Sequence, residues 1–149
     1  MKWVGPYTLK EFLDNCLNPI HPQPPNENGV YFISRKSWCQ KPTKCCEPLY
    51  VGTSPDKPER FKTRMGLLIS HMIGLFSPGK KNSMHSGGKS VYEYCKQNKI
   101  NPMSLYVGWA ENVCCPACAE NSIFDDLKPR LNKRKPKLCK KHNKSIYAK

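Results

Sequence analysis

Two short stretches, GVYFI at Gly29–Ile33 and LYVG at Leu49–Gly52, decide the fold that this sequence predicts. Both are rich in β-branched and aromatic residues, which is typical of β-strands. The segment 34–48 between them contains Lys, Pro and three cysteines and is predicted to be a loop. Two strands joined by a loop of this length favour an antiparallel pair. A third strand, LYVGW, is predicted at Leu105–Trp109.

Apolar residues at helical spacing flank these strands. The predicted helices cover residues 7–17, 59–75, 90–97 and 117–127. Thr8 and Glu11 have the spacing of a capping box in the first helix, and Lys128–Pro129 ends the last one. The sequence therefore predicts an α+β fold with a small three-stranded antiparallel sheet flanked by helices. An N-terminal helix and a basic C-terminal tail complete this expected fold.

Composition changes twice along the chain. Residues 1–27 combine the first helix with a linker, because four prolines within 19–25 exclude a helix or a central strand. Residues 28–132 contain the three predicted strands and the other helices, and they form the predicted domain. Residues 133–149 hold eight Lys or Arg and no acid. This tail is predicted to be mobile unless another part of the chain holds it.

The net charge points to an anionic partner. Lys and Arg number 25 against 11 Asp and Glu, which gives a formal net charge of +14. Nucleic acid is the first choice, and an acidic membrane surface is the second. No apolar run approaches the roughly 20 residues that cross a bilayer, and no long basic amphipathic helix is present, so no membrane partner is expected. Pro6 comes too early for a secretory signal, which predicts a cytoplasmic, nucleoid or nuclear protein that is not secreted.

Nine cysteines are many for 149 residues, and the odd number favours reduced thiols over a disulfide framework. Cys115 and Cys118 are separated by two residues, and Cys139 and His142 repeat that spacing. Thiolate and imidazole at this spacing are typical of structural zinc sites, so these four residues are predicted to hold Zn²⁺. Such a site would tie the basic tail to the start of the last helix. Cys114 is an alternative ligand.

Other interpretations of the cysteines stay open. Cys39, Cys45 and Cys46 cluster in the first loop and are either a second metal site with one borrowed ligand or spare thiols. The CPAC motif is also compatible with inert thiols at a helix start. A thioredoxin-like role is disfavoured because no βαβ unit flanks the motif.

The order of these elements resembles that of the GIY-YIG nuclease family. The tripeptides GVY at 29–31 and YVG at 50–52 correspond to the two tyrosine strands in the family name, and an Arg-bearing helix follows the second. Glu120 and Asn132 close the pattern with the ending Lys-Pro-x-Leu-Asn. The resemblance extends over residues 29–132. It implies a metal-dependent endonuclease that hydrolyses DNA phosphodiester bonds with Mg²⁺ or Mn²⁺.

The resemblance also implies roles for individual residues. The catalytic candidates are Tyr31, Tyr50, Arg64, His71, Glu120 and Asn132. The two phenols would accept or relay a proton of the attacking water, and Asn132 would support the site. An arginine can clamp phosphate through two parallel hydrogen bonds. Glu120 is the acid near the start of the last helix, and a carboxylate with water ligands can hold Mg²⁺.

Arg64 is chosen as the catalytic arginine because the segment 61–65 resembles the part of the family in which that arginine precedes an apolar residue. Arg60 and His71 share its predicted helical face, and Arg60 is the second choice. The family often has a histidine or tyrosine four residues after the arginine. That position is Leu68 here, and His71 follows three residues later.

Basic residues along the chain are predicted to contact nucleic-acid phosphates. They are Arg60, Lys62, Lys80, Lys81, Lys89, Arg130, Lys133 and Arg134. The stretch Gly87–Ser90 ends like a phosphate-binding P-loop, but Ser83 occupies the position where that motif needs glycine, so ATP binding is not expected. These residues are predicted to be a flexible start of the next helix, and His85 is predicted to be a loop histidine.

A second function class competes with the enzyme. Tyr31 and Tyr50 are also compatible with core aromatics, the arginines with a solvated basic face, and Glu120 with an acid favoured by a helix N-terminus. On that interpretation the protein is a zinc-stabilised nucleic-acid-binding protein that uses the same scaffold without cutting. The displaced His71 favours the binder, and the intact set of tyrosines, Arg64, Glu120 and Asn132 favours the nuclease.

Overall fold

A four-stranded antiparallel sheet lies at the centre of the computed structural model, which describes residues 1–54, 57–75 and 85–142. The strands are β1 (Lys2–Thr8), β2 (Val30–Ser34), β3 (Pro48–Thr53) and β4 (Tyr106–Glu111). Their order across the sheet is β1-β4-β2-β3, and each neighbouring pair is antiparallel. The predicted α+β class is confirmed, whereas the prediction of three strands is wrong by one.

The additional strand is β1, which lies at one edge of the sheet and pairs with β4 alone. Its register shifts between Val4 and Tyr7, so the pairing skips Pro6. A proline has no N–H for the sheet and is tolerated at an edge strand or a bulge. The helix predicted over 7–17 accordingly begins only at Leu9. Residues 2–8 belong to the sheet.

Four α-helices pack on the sheet within the described part of the chain. They are α1 (Leu9–Leu17), α2 (Phe61–Met72), α3 (Ser86–Gln97) and α4 (Pro116–Leu127). The capping box of α1 is confirmed, since Glu11 N–H donates to Thr8 Oγ1 and Thr8 N–H donates to the Glu11 carboxylate. Single 3-10 turns cover Lys44–Cys46, Pro58–Arg60 and Pro102–Ser104. None of the described helices is long and apolar enough to cross a bilayer.

The sheet separates two hydrophobic clusters, because successive side chains of a strand point to opposite faces. Tyr31 and Ile33 face the larger cluster, which contains the buried sides of α1, α2 and α3. Val30 and Phe32 face the smaller cluster, which includes Ile123 of α4 and Trp38 of the first loop. The central strand β2 is therefore buried on both faces. Tyr31 lies between this sheet and the helices that follow it.

The segment after α4 covers the free edge of β3. Arg130 N–H donates to the Pro48 carbonyl at 3.1 Å, and Leu131 N–H donates to the Leu49 carbonyl at 2.8 Å. The Asn132 side chain binds both backbone groups of Val51, accepting from its N–H at 3.0 Å and donating to its carbonyl at 2.9 Å. An exposed strand edge is a site for unwanted pairing, and this segment closes it.

Candidate active site

The two motif tyrosines lie on neighbouring strands with nearly parallel rings. Tyr31 pairs with Gly52 and Ile33 pairs with Tyr50 in the β2–β3 register. The ring centroids of Tyr31 and Tyr50 are 6.2 Å apart, with an angle of 21° between the rings. Tyr31 is only 1% exposed, and Tyr50 is half-buried. Glycine is needed at position 52 because a side chain there would collide with the Tyr31 ring.

His85 joins this pair from the beginning of α3. It is the N-cap of that helix, and its Nδ1 accepts a hydrogen bond from Gly88 N–H at 3.2 Å. Its Nε2 lies 2.9 Å from the Tyr31 hydroxyl. Burial, with the nearby charges of Arg64 and His71, lowers the pKa of His85 to about 4. The ring is therefore neutral near pH 7, and since Nδ1 accepts, the proton lies on Nε2 and is donated to Tyr31.

His85 lies directly before α3, outside the helix, as predicted, but it is not an unpartnered loop side chain. The side chain is 1% exposed and binds a residue 54 positions earlier in the chain. No local pattern predicts a contact at such a separation. Because that helix was predicted only from Ser90, the N-cap position of His85 was not recognised.

The glycines that follow His85 are packed rather than flexible. Gly87 and Gly88 lie in the first turn of α3 and are buried. A side chain at Gly87 would collide with the Tyr50 ring, and one at Gly88 would meet His71 and the Leu68 carbonyl. The first turn of α3 consequently approaches both β3 and α2 closely. The prediction of a flexible segment at 87–90 is wrong for this reason.

Arg64 and His71 both lie on α2, at different depths. The positive charge of Arg64 acts to lower the pKa of Tyr31, Tyr50 and Glu120. His71 is buried, and its Nδ1 donates to the Leu67 carbonyl at 2.7 Å. Its charged form would disfavour protonation of His85. Arg64 therefore lies close to the two tyrosines, whereas His71 lies close to His85.

Glu120 of α4 brings a carboxylate close to Tyr50 and Arg64. It lines one cleft together with Tyr50, Asn132 and the first turn of α3, and this cleft has a volume of about 1000 Å³. Burial raises the pKa of Glu120 to about 7, and Arg64 opposes that rise. Among the described residues that line the cleft, Glu120 is the only acid. Its charge is therefore balanced mainly by Arg64, and a bound cation would stabilise it further.

The phenols are held in their protonated form. Burial raises the pKa of Tyr31 well above its ordinary value, with the neighbouring Tyr50 adding to the rise. Burial and the charge of Glu120 raise the pKa of Tyr50 to about 12, while Arg64 and a hydrogen bond with Tyr31 oppose this. The Tyr31 oxygen accepts from His85, so its own proton is free to be donated to the Tyr50 oxygen. The Tyr50 side chain itself lines the cleft.

The basic residues that were predicted to contact phosphate lie in different surroundings. Lys133 and Arg134 line the cleft beside Glu120. Lys62 binds Gln23 at 3.2 Å, Lys89 lies 3.9 Å from Glu93, and Arg130 packs over the Tyr94 ring at 5.3 Å. Arg60 is exposed at the N-cap of α2. Lys80 and Lys81 lie outside the described residues.

A cluster of metal-ligand side chains lies beside the cleft. One ligand atom from each of Cys115, Cys118, Cys139 and His142 lies within 4.8 Å of the others. Cys118 Sγ is 3.6 Å from Cys139 Sγ, and His142 Nδ1 is 3.0 Å from each of these two sulfurs. A tetrahedral site with Zn–S bonds of about 2.3 Å separates its sulfurs by roughly 3.8 Å. These residues could therefore hold a metal ion such as zinc.

Two of the thiols have shifted pKa values. Desolvation, with hydrogen bonding to Cys118, raises the pKa of Cys115 to about 11, whereas the backbone N–H of His142 lowers that of Cys139 to about 7. Cys114 is exposed and lies outside the cluster. Residues 1–54, 57–75 and 85–142 contain no second group of this kind, and the first-loop cysteines lie outside the cluster.

Comparisons with protein-family profiles, with curated proteins and with solved structures gave no significant match to this chain. The resemblance to the GIY-YIG family therefore depends on the quoted motifs and the placement of their residues. Four of those residues, Tyr31, Tyr50, Arg64 and Glu120, come from different elements and interact with one another.

Proposed function

We propose that this protein is a metal-dependent endonuclease that hydrolyses DNA phosphodiester bonds in the cleft at Tyr50 and Glu120. The observation that supports it best is the convergence of an arginine, two phenols and a half-buried carboxylate from α2, β2, β3 and α4. Phosphodiester hydrolysis needs an oriented water, a cation to stabilise the phosphoryl oxygens, and control of protons. This set of side chains supplies each of them.

Phosphate recognition is assigned to the basic side of the cleft. Lys133 and Arg134 would contact the DNA backbone, which carries one charge per phosphate. Arg64 would bind the phosphate that is cut, because its guanidinium lies at the tyrosines and can donate two hydrogen bonds to one phosphate. Its charge would stabilise the negative charge that grows on the phosphoryl oxygens in the transition state.

Proton transfer is assigned to the chain of His85, Tyr31 and Tyr50. Hydrolysis joins the water oxygen to phosphorus, breaks the bond from phosphorus to the leaving oxygen, and moves one proton from water to that oxygen overall. Tyr50 would take the water proton while it gives its own to the leaving oxygen, so that oxygen leaves as an alcohol. The hydrogen bond from Tyr31 stabilises negative charge on the Tyr50 oxygen during this transfer. His85 fixes Tyr31 as that donor.

The residues also fit the divalent cation that the family resemblance implies. Glu120 is half-buried, its pKa is raised to about 7, and no second acid lines the described cleft, so a cation would stabilise its charged form. One carboxylate with water ligands suits Mg²⁺ or Mn²⁺. When bound at Glu120, such an ion would supply Lewis-acid stabilisation of the phosphate.

Zinc is proposed for the other cluster, separate from the exchangeable ion at Glu120. Three thiolates and one imidazole suit Zn²⁺ better than Mg²⁺, because the ligands are soft. Four protein ligands close the coordination sphere, as in structural rather than catalytic sites. Cys118 and Glu120 lie in the same helix, so zinc would also stabilise the end of α4 that carries the carboxylate.

Incubation of supercoiled plasmid with the protein and Mg²⁺ or Mn²⁺ tests the proposal. Wild-type protein should nick the plasmid, and Glu120→Gln and Arg64→Ala should each lose cleavage by a factor on the order of 10² or more. Asp126→Asn, which changes an exposed acid in the same helix as Glu120, is the matched control and should keep most activity.

The non-catalytic binder is the second candidate, because a single described carboxylate is a minimal ligand set for a catalytic cation. DNA binding is measured with the same variants. Wild-type protein that binds DNA but never nicks it, with either metal and with several DNA forms, would identify the binder. Cleavage that survives Glu120→Gln would show that the metal is held elsewhere.

A further inference from the structure

The described part of the C-terminal tail crosses the candidate active site. We call residues 133–142 the basic strap. It contains six Lys or Arg and no acid. Lys133, Arg134, Lys135, Lys137 and Lys140 line the cleft that also contains Tyr50 and Glu120. The strap therefore forms one side of the cleft.

The basic strap is fixed at both ends. At its beginning, Asn132 binds the backbone of Val51 on β3. At its end, Cys139 and His142 meet Cys115 and Cys118 at the start of α4. Between these ends the Asn121 side chain donates to the Pro136 carbonyl, and Lys135 forms an ion pair with Asp125.

These contacts explain where the strap lies but supply little apolar stabilisation. Most of its residues are exposed, and only Pro136, Leu138 and Cys139 are half-buried. An exposed ion pair such as Lys135–Asp125 contributes little. Six like charges within ten residues repel one another and favour an extended, mobile segment. The four-ligand cluster is the feature that can hold the end of the strap in place.

We infer that zinc bound by Cys115, Cys118, Cys139 and His142 holds the basic strap against α4 and thereby forms a phosphate-binding side of the cleft. The ligand of that side is the backbone of a nucleic acid, an inference that rests on the proposed function for the choice of polyanion. Zinc would therefore control DNA affinity from a site that is separate from Glu120. Loss of zinc would release the strap without removing any basic side chain from the protein.

Binding of a fluorescently labelled DNA duplex, measured by anisotropy without added divalent metal, tests this inference. The full-length chain is compared with the double variant Cys118→Ser/Cys139→Ser, and zinc is quantified by elemental analysis. Cys39→Ser/Cys45→Ser is the matched control, since both of those thiols are exposed and lie outside the cluster. We expect one zinc per chain in wild type and control, and none in the cluster variant.

The cluster variant should also lose about tenfold or more in affinity at moderate salt. The slope of log K against log salt should fall by roughly 2 to 3, the value for two or three lost phosphate contacts. Tryptophan fluorescence reports whether the core is intact, because Trp109 and Trp38 are buried. Zinc titrated into metal-free wild-type protein provides a second measurement, and it should restore affinity and slope together.

A charge variant separates the strap from the metal. Lys133→Gln/Arg134→Gln should keep its zinc and lower the salt slope by roughly 2. Wild-type protein without zinc, or unchanged affinity and slope after zinc removal, would overturn the inference. Zinc-dependent DNA binding by a protein that never cuts would instead leave the strap inference standing and refute the nuclease proposal.

Discussion

His85 Nε2 donates to the Tyr31 hydroxyl over 2.9 Å, across 54 positions of the chain. The direction of this bond follows from the other side of the ring, where Nδ1 accepts from Gly88 N–H. The bond leaves the Tyr31 proton free for Tyr50, which lines the cleft. A buried neutral histidine therefore orders two phenols without titrating near pH 7.

Acid should destabilise the wild-type protein relative to His85→Gln. The pKa of His85 is about 4 in the folded protein against 6.5 for an unperturbed histidine. Between these values the unfolded chain binds more protons, so the free energy of unfolding falls as the pH drops from about 6.5 towards 4. The difference between wild type and variant should be constant above about pH 7 and should shrink by up to about 3 kcal/mol in acid.

Urea denaturation at a series of pH values measures this difference. Glu120, whose folded pKa is raised to about 7, acts in the opposite direction, but it is present in both proteins and cancels in the comparison. A difference that stays flat down to about pH 4 would contradict burial of a neutral His85.

Arg64→Lys should separate catalysis from binding. Lysine keeps the charge but not the planar pair of donors that clamps a phosphate. We expect plasmid nicking to fall by a factor on the order of 10² while DNA affinity changes little. Arg60→Lys tests the second choice for the catalytic arginine, at the N-cap of the same helix, and should keep nicking if Arg64 is the catalytic residue. The nicking rate is measured by gel assay. If both variants lose the same fraction of that rate, Arg64 is not the catalytic arginine.

Asn132→Ala should weaken the fold. The change removes both hydrogen bonds to Val51 and leaves the backbone N–H and carbonyl of the β3 edge without that partner. We expect a loss of about 1 to 3 kcal/mol in the free energy of unfolding, measured by urea denaturation. Ser122→Ala, at an exposed position of α4, is the control and should change stability by much less. If both variants lose the same free energy of unfolding, the hydrogen bonds of Asn132 to Val51 do not stabilise the β3 edge.

Gly87→Ala should displace Tyr50, because the added methyl group would overlap its ring. Nicking should fall, whereas binding of the duplex should persist, since the strap lysines are untouched. Gly66→Ala is a matched control in α2, with open space around the added carbon. It should keep full activity and gain about 0.5 to 1 kcal/mol of stability from helix propensity. Full nicking activity of Gly87→Ala would contradict the close packing of α3 on Tyr50.

Local patterns were sufficient to predict most of the fold. The strands at Tyr31 and Tyr50 and the helices α2 and α4 carry strong periodic signals, and they are present in the structure. β1 lacked such a signal, because Pro6 interrupts it and its stability comes from pairing with β4. A strand that depends on a distant partner cannot be recognised from its own residues.

In the candidate site, too, features encoded by local spacing were predicted, whereas contacts between distant elements were not. The spacing of Cys115 to Cys118 and of Cys139 to His142 predicts a cluster, and the four ligand atoms do lie together. The His85–Tyr31 bond and the contact of Gly87 with Tyr50 depend on how α3 packs against the sheet. No spacing within one element encodes that packing. The nuclease activity and the roles of Arg64, Glu120 and Asn132 stay predictions.

The pairing of β1 with β4 has a consequence for the growing polypeptide. Lys2 pairs with Glu111 and Thr8 with Tyr106, so β1 leaves the ribosome long before its partner exists. At ordinary rates of translation this interval is on the order of 10 s. Throughout it the nascent chain has an unpaired strand and no closed cleft, since Asn132 and the strap are made later still. Any cutting activity can therefore begin only after Asn132 and the strap have been made and have joined the cleft.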